Sequence, residues 1–344
     1  MGGRFTMAKI KRLFNDPYDI VEEMVEGYVG AHKQYVKMCD LDEAQGRVVL
    51  ANDAGTKDKV GVIIGGGSGH EPLFIGYVGE DFADAVVIGN INTSPSPDPC
   101  YAAAKACDNG KGCIYLYGNY AGDVMNFDMG AEKADEEDDI RVETVLVTDD
   151  VVSSENIPDR RGIAGDFFVF KVAGAKAATG ADLDEVVAAA QKANDNTRSM
   201  GVAMSSATLP AKGGTIFDME DGDMEIGMGI HGEPGIRRGK IDTADNVIDE
   251  IMEPILKDLP YVEGDEVYVL VNSLGATPLI DLHVCYRRVA QILEEKGIKV
   301  YKALVGPFAC SMDMAGMSVT LMKLDDELKE LMDAPCDTPY FTQK

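Results

Sequence analysis

Two segments of this sequence combine a histidine with glycine and proline, and their residue types suit acid–base or nucleophilic chemistry. The segment GHEP occupies positions 69–72, and the segment IHGEPG occupies positions 230–235. A histidine between small residues has little crowding around its imidazole, which titrates near neutral pH and is free to meet a ligand. We therefore take His70 and His231 as candidate catalytic residues, while an ordinary structural role stays open for each.

A metal site is the first alternative for these histidines. The chain has four histidines in all. None of them is paired as His-x-x-x-His, and no cysteine lies near either segment. Zinc sites are built from such clusters of histidine and cysteine. The sequence therefore predicts no metal site.

The first histidine closes a glycine-rich loop that follows an apolar run. Positions 60–64 read VGVII, which is typical of a short buried strand, and positions 65–70 read GGGSGH. This loop lacks the Gly-Lys-Ser/Thr ending of a Walker loop, the final glycine of a nucleophile elbow and the third glycine of a dinucleotide fingerprint. We expect no nucleotide to bind here in those ways, and capture of a small polar molecule through backbone amides remains open.

An aspartate follows the third apolar run of the chain, in the segment GDV at positions 122–124. Taken alone, Asp123 in this position is typical of a helix N-cap. However, the order strand, polar loop, helix occurs three times before residue 150. Because parallel strands end at one edge of a sheet, the loops that carry His70, Thr93 with Ser94, and Asp123 are expected to meet there.

The elements that must position these residues predict an α/β protein with two domains. Repeated strand–loop–helix units indicate strands that are largely parallel and covered on both faces. We assign residues 1–182 to an N-terminal α/β sheet domain with the glycine loop. Residues 183–344 have a different pattern of predicted elements, and we assign them to a C-terminal α+β domain that carries His231.

Composition excludes several classes of function. The 32 Lys and Arg against 59 Asp and Glu leave a net charge of −27, which repels phosphate backbones, so no nucleic-acid partner is expected. The seven cysteines are dispersed without a Cys-x-x-Cys pair, which indicates reduced thiols. The N-terminal segment 1–7 lacks the apolar stretch of a signal peptide, and no apolar run is long enough to span a membrane. The sequence therefore predicts a cytoplasmic protein with no membrane partner.

Several segments, in order along nearly the whole chain, resemble the ketone-binding subunit of the dihydroxyacetone kinases. The shared motifs are GGGSGHEP at 65–72, TSPSPD at 93–98, NYAGDVMNF at 119–127, RRGIAG at 160–165 and GIHGEPGIRR at 229–238, followed by NSLGATPL at 272–279, YRR at 286–288 and LDDEL at 324–328.

The resemblance implies a subunit that holds dihydroxyacetone or a similar short ketose through a covalent bond. The position of His231 matches the family histidine whose imidazole nitrogen adds to the substrate carbonyl to give a hemiaminal. Asp123 matches the general base at the substrate hydroxyl, and His70 matches an orienting donor or acid. In the same reading, Gly67 and Ser68 supply backbone contacts to the substrate. Only a ketone has an electrophilic carbon, so this bond would exclude glycerol.

One position departs from the family pattern. Relatives commonly carry lysine immediately before the Asn-Tyr-x-Gly-Asp motif, and this chain has Gly118. The change removes a cation from the substrate-binding set and is expected to leave room for a longer ketose, such as the tetrulose erythrulose. It also keeps a second class of function open, namely a ketone-sensing co-activator of a transcription factor that has no catalytic activity.

The resemblance also implies how the phosphoryl group arrives. ATP-dependent relatives carry an additional helical domain that binds the nucleotide, and the sequence to Lys344 leaves no residues for one. We therefore expect no cofactor bound directly by this chain. We expect ATP, or ADP recharged by a phosphoprotein, to be held with Mg²⁺ on a separate nucleotide-binding subunit, and this chain to form a homodimer.

Overall fold

The computed structural model describes residues 12–344, and the predicted absence of a signal peptide at positions 1–7 concerns residues outside this range. Two six-stranded sheets form the frame of the described chain. The elements of the first half are α1 (Ile20–Ala31), β1 (Val36–Met38), β2 (Val48–Ala51), β3 (Gly61–Ser68), β4 (Ala85–Ile91), α2 (Pro97–Cys107), β5 (Cys113–Gly118), α3 (Ala121–Asp138), β6 (Val142–Val147), α4 (Asp166–Ala178) and α5 (Leu183–Asp195).

The second half begins with the strand that follows α5. Its elements are β7 (Thr197–Ala203), β8 (Thr208–Leu209), β9 (Gly214–Thr215), β10 (Asp223–Ile226), β11 (Arg237–Lys240), α6 (Ala244–Asp258), β12 (Glu266–Ser273), α7 (Leu279–Glu295), β13 (Lys299–Gly306), β14 (Gly316–Leu324), α8 (Asp326–Asp333), β15 (Cys336–Asp337) and β16 (Thr342–Gln343).

The first sheet has the strand order β1-β2-β4-β3-β5-β6. Strands β4, β3, β5 and β6 run parallel, while β1 and β2 add an antiparallel edge. The centre is almost wholly apolar because both faces are covered by helices; every residue of β3 and of β5 is buried. The α/β architecture predicted for this half is confirmed.

The second sheet has the order β11-β10-β7-β14-β12-β13. Its pairs are antiparallel except for β12 with β13. Helices α6 and α7 pack together against it and close a second apolar cluster. This mixture of mostly antiparallel strands and packed helices agrees with the α+β character predicted for the second half.

Helix α4 lies between the two sheets. Eleven of its 13 residues are buried, because it packs against β3 and β5 on one side and meets the second half on the other. The ring of Phe168 lies 5.3 Å from that of Tyr268 in β12, and the ring of Phe167 lies 5.1 Å from that of Phe308. One continuous apolar core therefore joins the two sheets.

The proposed domain division at residues 182/183 stays a prediction. Helix α5, which the sequence analysis assigned to the second domain, packs on α4, and its Leu183, Val186 and Ala190 belong to the same apolar cluster as the first sheet. No described helix is both long enough and apolar enough to cross a membrane.

Candidate active site

Glycines in β3 let two loops come close at the carboxyl edge of the first sheet. A Cβ atom at Gly65 would lie 2.5 Å from the carbonyl oxygen of Val87, and one at Gly67 would lie 2.8 Å from the amide nitrogen of Thr93. Side chains at these positions would push β3 away from β4 and from the loop that follows it. The glycine run therefore serves close packing of backbone as well as any contact with a ligand.

Ser68 ends β3 beneath that loop. Its hydroxyl donates a 2.8 Å hydrogen bond to the carbonyl oxygen of Gly89, and its side chain is buried. The hydroxyl thus ties the end of β3 to strand β4. The backbone contacts to substrate expected from Gly67 and Ser68 stay predictions.

His70 is buried at the end of the same loop and bonded through both ring nitrogens. Its Nδ1 lies 2.8 Å from the carbonyl oxygen of Cys310, in the loop between β13 and β14, and its Nε2 lies 2.9 Å from Nε2 of His231. Burial, and then the nearby charge of His231, lower the pKa of His70 to about 3. His70 is therefore a neutral imidazole with a fixed orientation.

His231 reaches the site from the second half, on the loop between β10 and β11. Its Nδ1 lies 3.1 Å from Oε1 of Glu233, and its backbone N–H donates to Oε2 of the same carboxylate at 3.1 Å. The ring of Tyr120 stands nearly perpendicular to the imidazole, with 4.6 Å between ring centres. The structure thus brings His70 and His231 into direct contact, although they lie 161 positions apart.

The partners of the two imidazoles decide where their protons lie. A carbonyl oxygen only accepts, so Nδ1 of His70 carries a proton. The hydrogen bond from His231, with the charges of His231 and Arg161, outweighs burial and lowers the pKa of Glu233 to about 2, so Nδ1 of His231 faces an ionised carboxylate and carries a proton as well. The 2.9 Å contact between the two Nε2 atoms then requires one further proton between the rings.

Asp123 lies in the first turn of α3, beside the loop after β4. The helix begins at Ala121 and its N-cap residue is Tyr120, so the interpretation of Asp123 as an N-cap is wrong. Burial raises the pKa of Asp123 to about 6, although a hydrogen bond with Ser94 and the charge of His231 oppose this rise. Its Oδ1 is buried without a hydrogen-bond partner among the described residues. Asp123 therefore presents one unengaged oxygen and a carboxyl group that ionises close to neutral pH.

Gly118 lies close to backbone and to the ring of Tyr120. It ends β5, and a Cβ atom there would lie 3.1 Å from the carbonyl oxygen of Gly162 and 3.1 Å from the ring of Tyr120. A side chain at this position would therefore start in close contact with backbone and with an aromatic ring. The expectation that glycine here leaves room for a longer ketose stays a prediction.

Other residues at the site had no role assigned from the sequence. Glu233 lies within the IHGEPG segment, and a carboxylate two positions after a histidine was the available signal. Tyr120 and Arg161 fall inside motifs that carried the family resemblance. The Cys310 carbonyl that orients His70 gave no signal, because any residue supplies a backbone oxygen. Within residues 12–344, no group of three or more His, Cys, Asp or Glu side chains is placed to hold a metal ion.

Comparison with known proteins identifies relatives of this chain. The model of the Dak1 domain matches residues 26–340. The dihydroxyacetone-binding subunit of PTS-dependent dihydroxyacetone kinase 2 of Listeria innocua is 60% identical over 332 residues, which cover 96% of this chain and 99% of that protein.

Two solved structures share the fold. The dihydroxyacetone kinase of C. freundii superimposes with a TM-score of 0.86 at 31% identity, and the match covers 97% of this chain and 60% of the kinase chain. A dihydroxyacetone kinase operon co-activator superimposes with a TM-score of 0.86 at 28% identity, covering 94% of this chain and 98% of the co-activator.

Proposed function

The chain belongs to the Dak1 family, and from this premise we propose that it is the ketose-binding subunit of a dihydroxyacetone kinase, a phosphotransferase with an alcohol group as acceptor. The observation that carries the proposal is the direct contact of the two Nε2 atoms, 2.9 Å apart, with Asp123 close enough for its pKa to respond to His231. This arrangement supports the roles that we propose for His231 as nucleophile, His70 as proton carrier and Asp123 as base.

In the proposed addition step, the Nε2 lone pair of His231 forms a bond to the carbonyl carbon of the ketose. The proton between the rings passes to Nε2 of His70 as that lone pair is released. The π electrons of the carbonyl move to its oxygen, which takes the proton from His70 and becomes the hydroxyl group of a hemiaminal. The ring of His231 is left as a substituted imidazolium, and the ionised Glu233 stabilises its charge.

In the proposed transfer step, Asp123 accepts the proton of a terminal substrate hydroxyl. That oxygen forms a bond to the γ-phosphorus of a nucleoside triphosphate as the bond from this phosphorus to the leaving nucleoside diphosphate breaks. We assign the nucleotide and its Mg²⁺ to a separate subunit. The Listeria innocua relative is likewise named as the dihydroxyacetone-binding subunit of its kinase. The metal ion would neutralise charge on the transferred phosphoryl group.

The cellular location and the assembly state of the protein form part of the same proposal. All seven cysteines are unpaired thiols, which supports a reducing, cytoplasmic setting. Assembly as a homodimer follows from the family resemblance and is testable by light scattering on the purified protein.

Native mass spectrometry of the intact protein tests the covalent step. We expect a mass increase of one dihydroxyacetone for the wild type, no increase with glycerol, and no increase for His231→Ala. His283→Ala is the matched control, because His283 is exposed on α7 away from the site, and it should retain the adduct. An undiminished adduct on His231→Ala would overturn the assignment of the nucleophile.

The same preparation separates the enzyme from a ketone sensor of the kind that the co-activator structure represents. Added nucleotide-binding subunit and ATP should convert the bound ketose to its phosphate ester, and Asp123→Asn should retain the adduct while losing this transfer. Adduct formation without transfer in the complete system would favour the sensor. A larger adduct yield with erythrulose than with dihydroxyacetone would assign the tetrulose as substrate.

A further inference from the structure

A series of three charged residues, Glu233, Arg161 and Asp150, extends from His231 into the protein. Glu233 binds the imidazole Nδ1, and Nη1 of Arg161 lies 3.7 Å from Oε2 of Glu233. Nε and Nη2 of Arg161 both bind Oδ2 of Asp150, at 3.1 and 2.7 Å. The series His231, Glu233, Arg161, Asp150 therefore runs from an imidazole that is 22% exposed to a carboxylate side chain that is 2% exposed.

Backbone hydrogen bonds hold the inner end of this series, Arg161 and Asp150. Asp150 and Arg161 lie in the connection between β6 and α4, and the amide of Asp150 donates to the carbonyl oxygen of Arg161 at 3.1 Å. Asp150 also bridges to Ser199 of β7, and the amide of Arg161 donates to the hydroxyl of Ser153. Arg161 has two hydrogen bonds to one carboxylate, so its guanidinium has a fixed direction.

A glycine makes room for the outer end. A Cβ atom at Gly229 would collide with the carboxylate of Glu233 and would lie 2.7 Å from Nη1 of Arg161. Glu233 and Gly229 belong to the loop between β10 and β11, whereas Arg161 comes from the first half. The ion pair between Arg161 and Glu233 therefore needs this glycine, and it fixes the His231 loop against the first half.

We infer that Asp150, Arg161 and Gly229 position Glu233, and that Glu233 directs the Nε2 atom of His231 toward the substrate carbonyl. The reason is that the two ring nitrogens of a neutral imidazole differ, because one carries a proton and the other carries the lone pair. A carboxylate held at Nδ1 keeps a proton there, so the lone pair develops at Nε2, the nitrogen that faces His70. Without the guanidinium, Glu233 is free to turn toward solvent, and the imidazole loses both its orientation and its tautomer. These residues are positioning residues, and the inference rests on the proposed function of His231.

The rate of adduct formation with dihydroxyacetone tests this inference through a double-mutant cycle. Arg161→Gln and Glu233→Gln should each slow the reaction by about 10-fold or more, as supporting residues of a reactive group commonly do. The double variant should be no slower than Glu233→Gln alone, because Arg161 acts through Glu233. Gly229→Ala should resemble Arg161→Gln, and Arg161→Lys should recover part of the loss.

Arg237→Gln is the matched control. Arg237 follows the same loop and binds Glu250 through two nitrogen atoms, but this pair is exposed, so its loss should leave the rate unchanged. Rates that multiply in the double variant, or an unchanged rate in Arg161→Gln, would overturn the inference and leave the ion pair with a structural role only.

A measurement without substrate separates this inference from the proposed function. The chain has four histidines, so two-bond ¹H–¹⁵N correlation spectra can resolve the His231 ring. The neutral His231 ring of the wild type should have the Nδ1–H tautomer, and that of Arg161→Gln should have a mixture of tautomers. The same tautomer in both proteins would refute the positioning role, even if the wild type forms the adduct. A wild type with no adduct would refute the proposed function instead, and the spectra would still test the positioning.

Discussion

At the scale of single residues, burial acts in opposite directions on the two groups that flank His231. Taking a charge out of water disfavours ionisation, so burial raises the pKa of the Asp123 carboxyl group and lowers that of the His70 imidazole. At neutral pH Asp123 is a base close to its pKa, while His70 is neutral. One location therefore holds an acceptor for a hydroxyl proton and a carrier for a carbonyl proton.

The raised pKa of Asp123 predicts a cost in stability. Its pKa is about 6 in the folded protein, against an ordinary value of 3.8, so the folded state binds this proton more tightly than the unfolded chain. Stability from this group is therefore present at low pH and is lost as the pH rises from about 4 to about 6. Asp123→Asn should raise the free energy of unfolding by about 2 kcal/mol at pH 8 and change it little at pH 3.5.

Urea unfolding at both pH values checks this prediction. Asp128→Asn is the control, because Asp128 is an exposed residue of the same helix, and its effect should be small at either pH. Asp123→Asn that is no more stable than the wild type at pH 8 would contradict the raised pKa.

At the scale of elements, β3 is the strand on which the first half of the site depends. Its apolar start lies at the centre of the parallel sheet, and its glycine-rich end allows the loop after β4 to approach. Close approach of backbones is a reason for glycine that differs from ligand binding. The two roles are compatible, since the loop that is brought close carries Ser94, which opposes the rise in the pKa of Asp123.

The packing role of these glycines gives a second prediction. Gly65→Ala should lower the free energy of unfolding by about 2 kcal/mol, because the added methyl group meets the carbonyl oxygen of Val87 and the ring of Phe127. Gly27→Ala is the matched control: Gly27 lies inside α1 with no atom within 4 Å of the added methyl group. It should raise stability by about 0.5 to 1 kcal/mol. Thermal unfolding of both variants checks the difference, and a neutral Gly65→Ala would disprove the close packing.

At the scale of the whole molecule, a buried ionic cluster ties the two halves together behind the site. The guanidinium groups of Arg160 and Arg198, both almost fully buried, bind the carboxylate of Asp258 at the end of α6. Arg160 belongs to the connection between β6 and α4, and its carbonyl oxygen accepts a hydrogen bond from Asn119, which lies between β5 and the helix that carries Asp123. The cluster thus connects the frame of the second sheet to the site.

Removal of Asp258, the carboxylate of this buried cluster, gives a third prediction. Asp258→Ala should lower the free energy of unfolding by about 3 kcal/mol, because two buried guanidinium groups lose their counter-charge. Asp249→Ala, on the same helix, removes an exposed partner of Arg288 and should change stability by less than about 0.5 kcal/mol. Urea unfolding compares the two variants, and equal effects would show that the buried cluster adds nothing.

The sequence by itself determined the family and the α/β and α+β character of the two halves, and it gave His70, Asp123 and His231 as candidate site residues. Apolar runs that alternate with glycine loops restrict the chain to few architectures, and motifs in a fixed order identify relatives. The tertiary structure decided what these residues do to one another. The proton between the imidazoles depends on a backbone oxygen of Cys310 and a carboxylate held by Arg161. The close contact at Gly118 depends on Gly162. Such contacts join positions far apart in the chain, and neither composition nor spacing contains the distances between them.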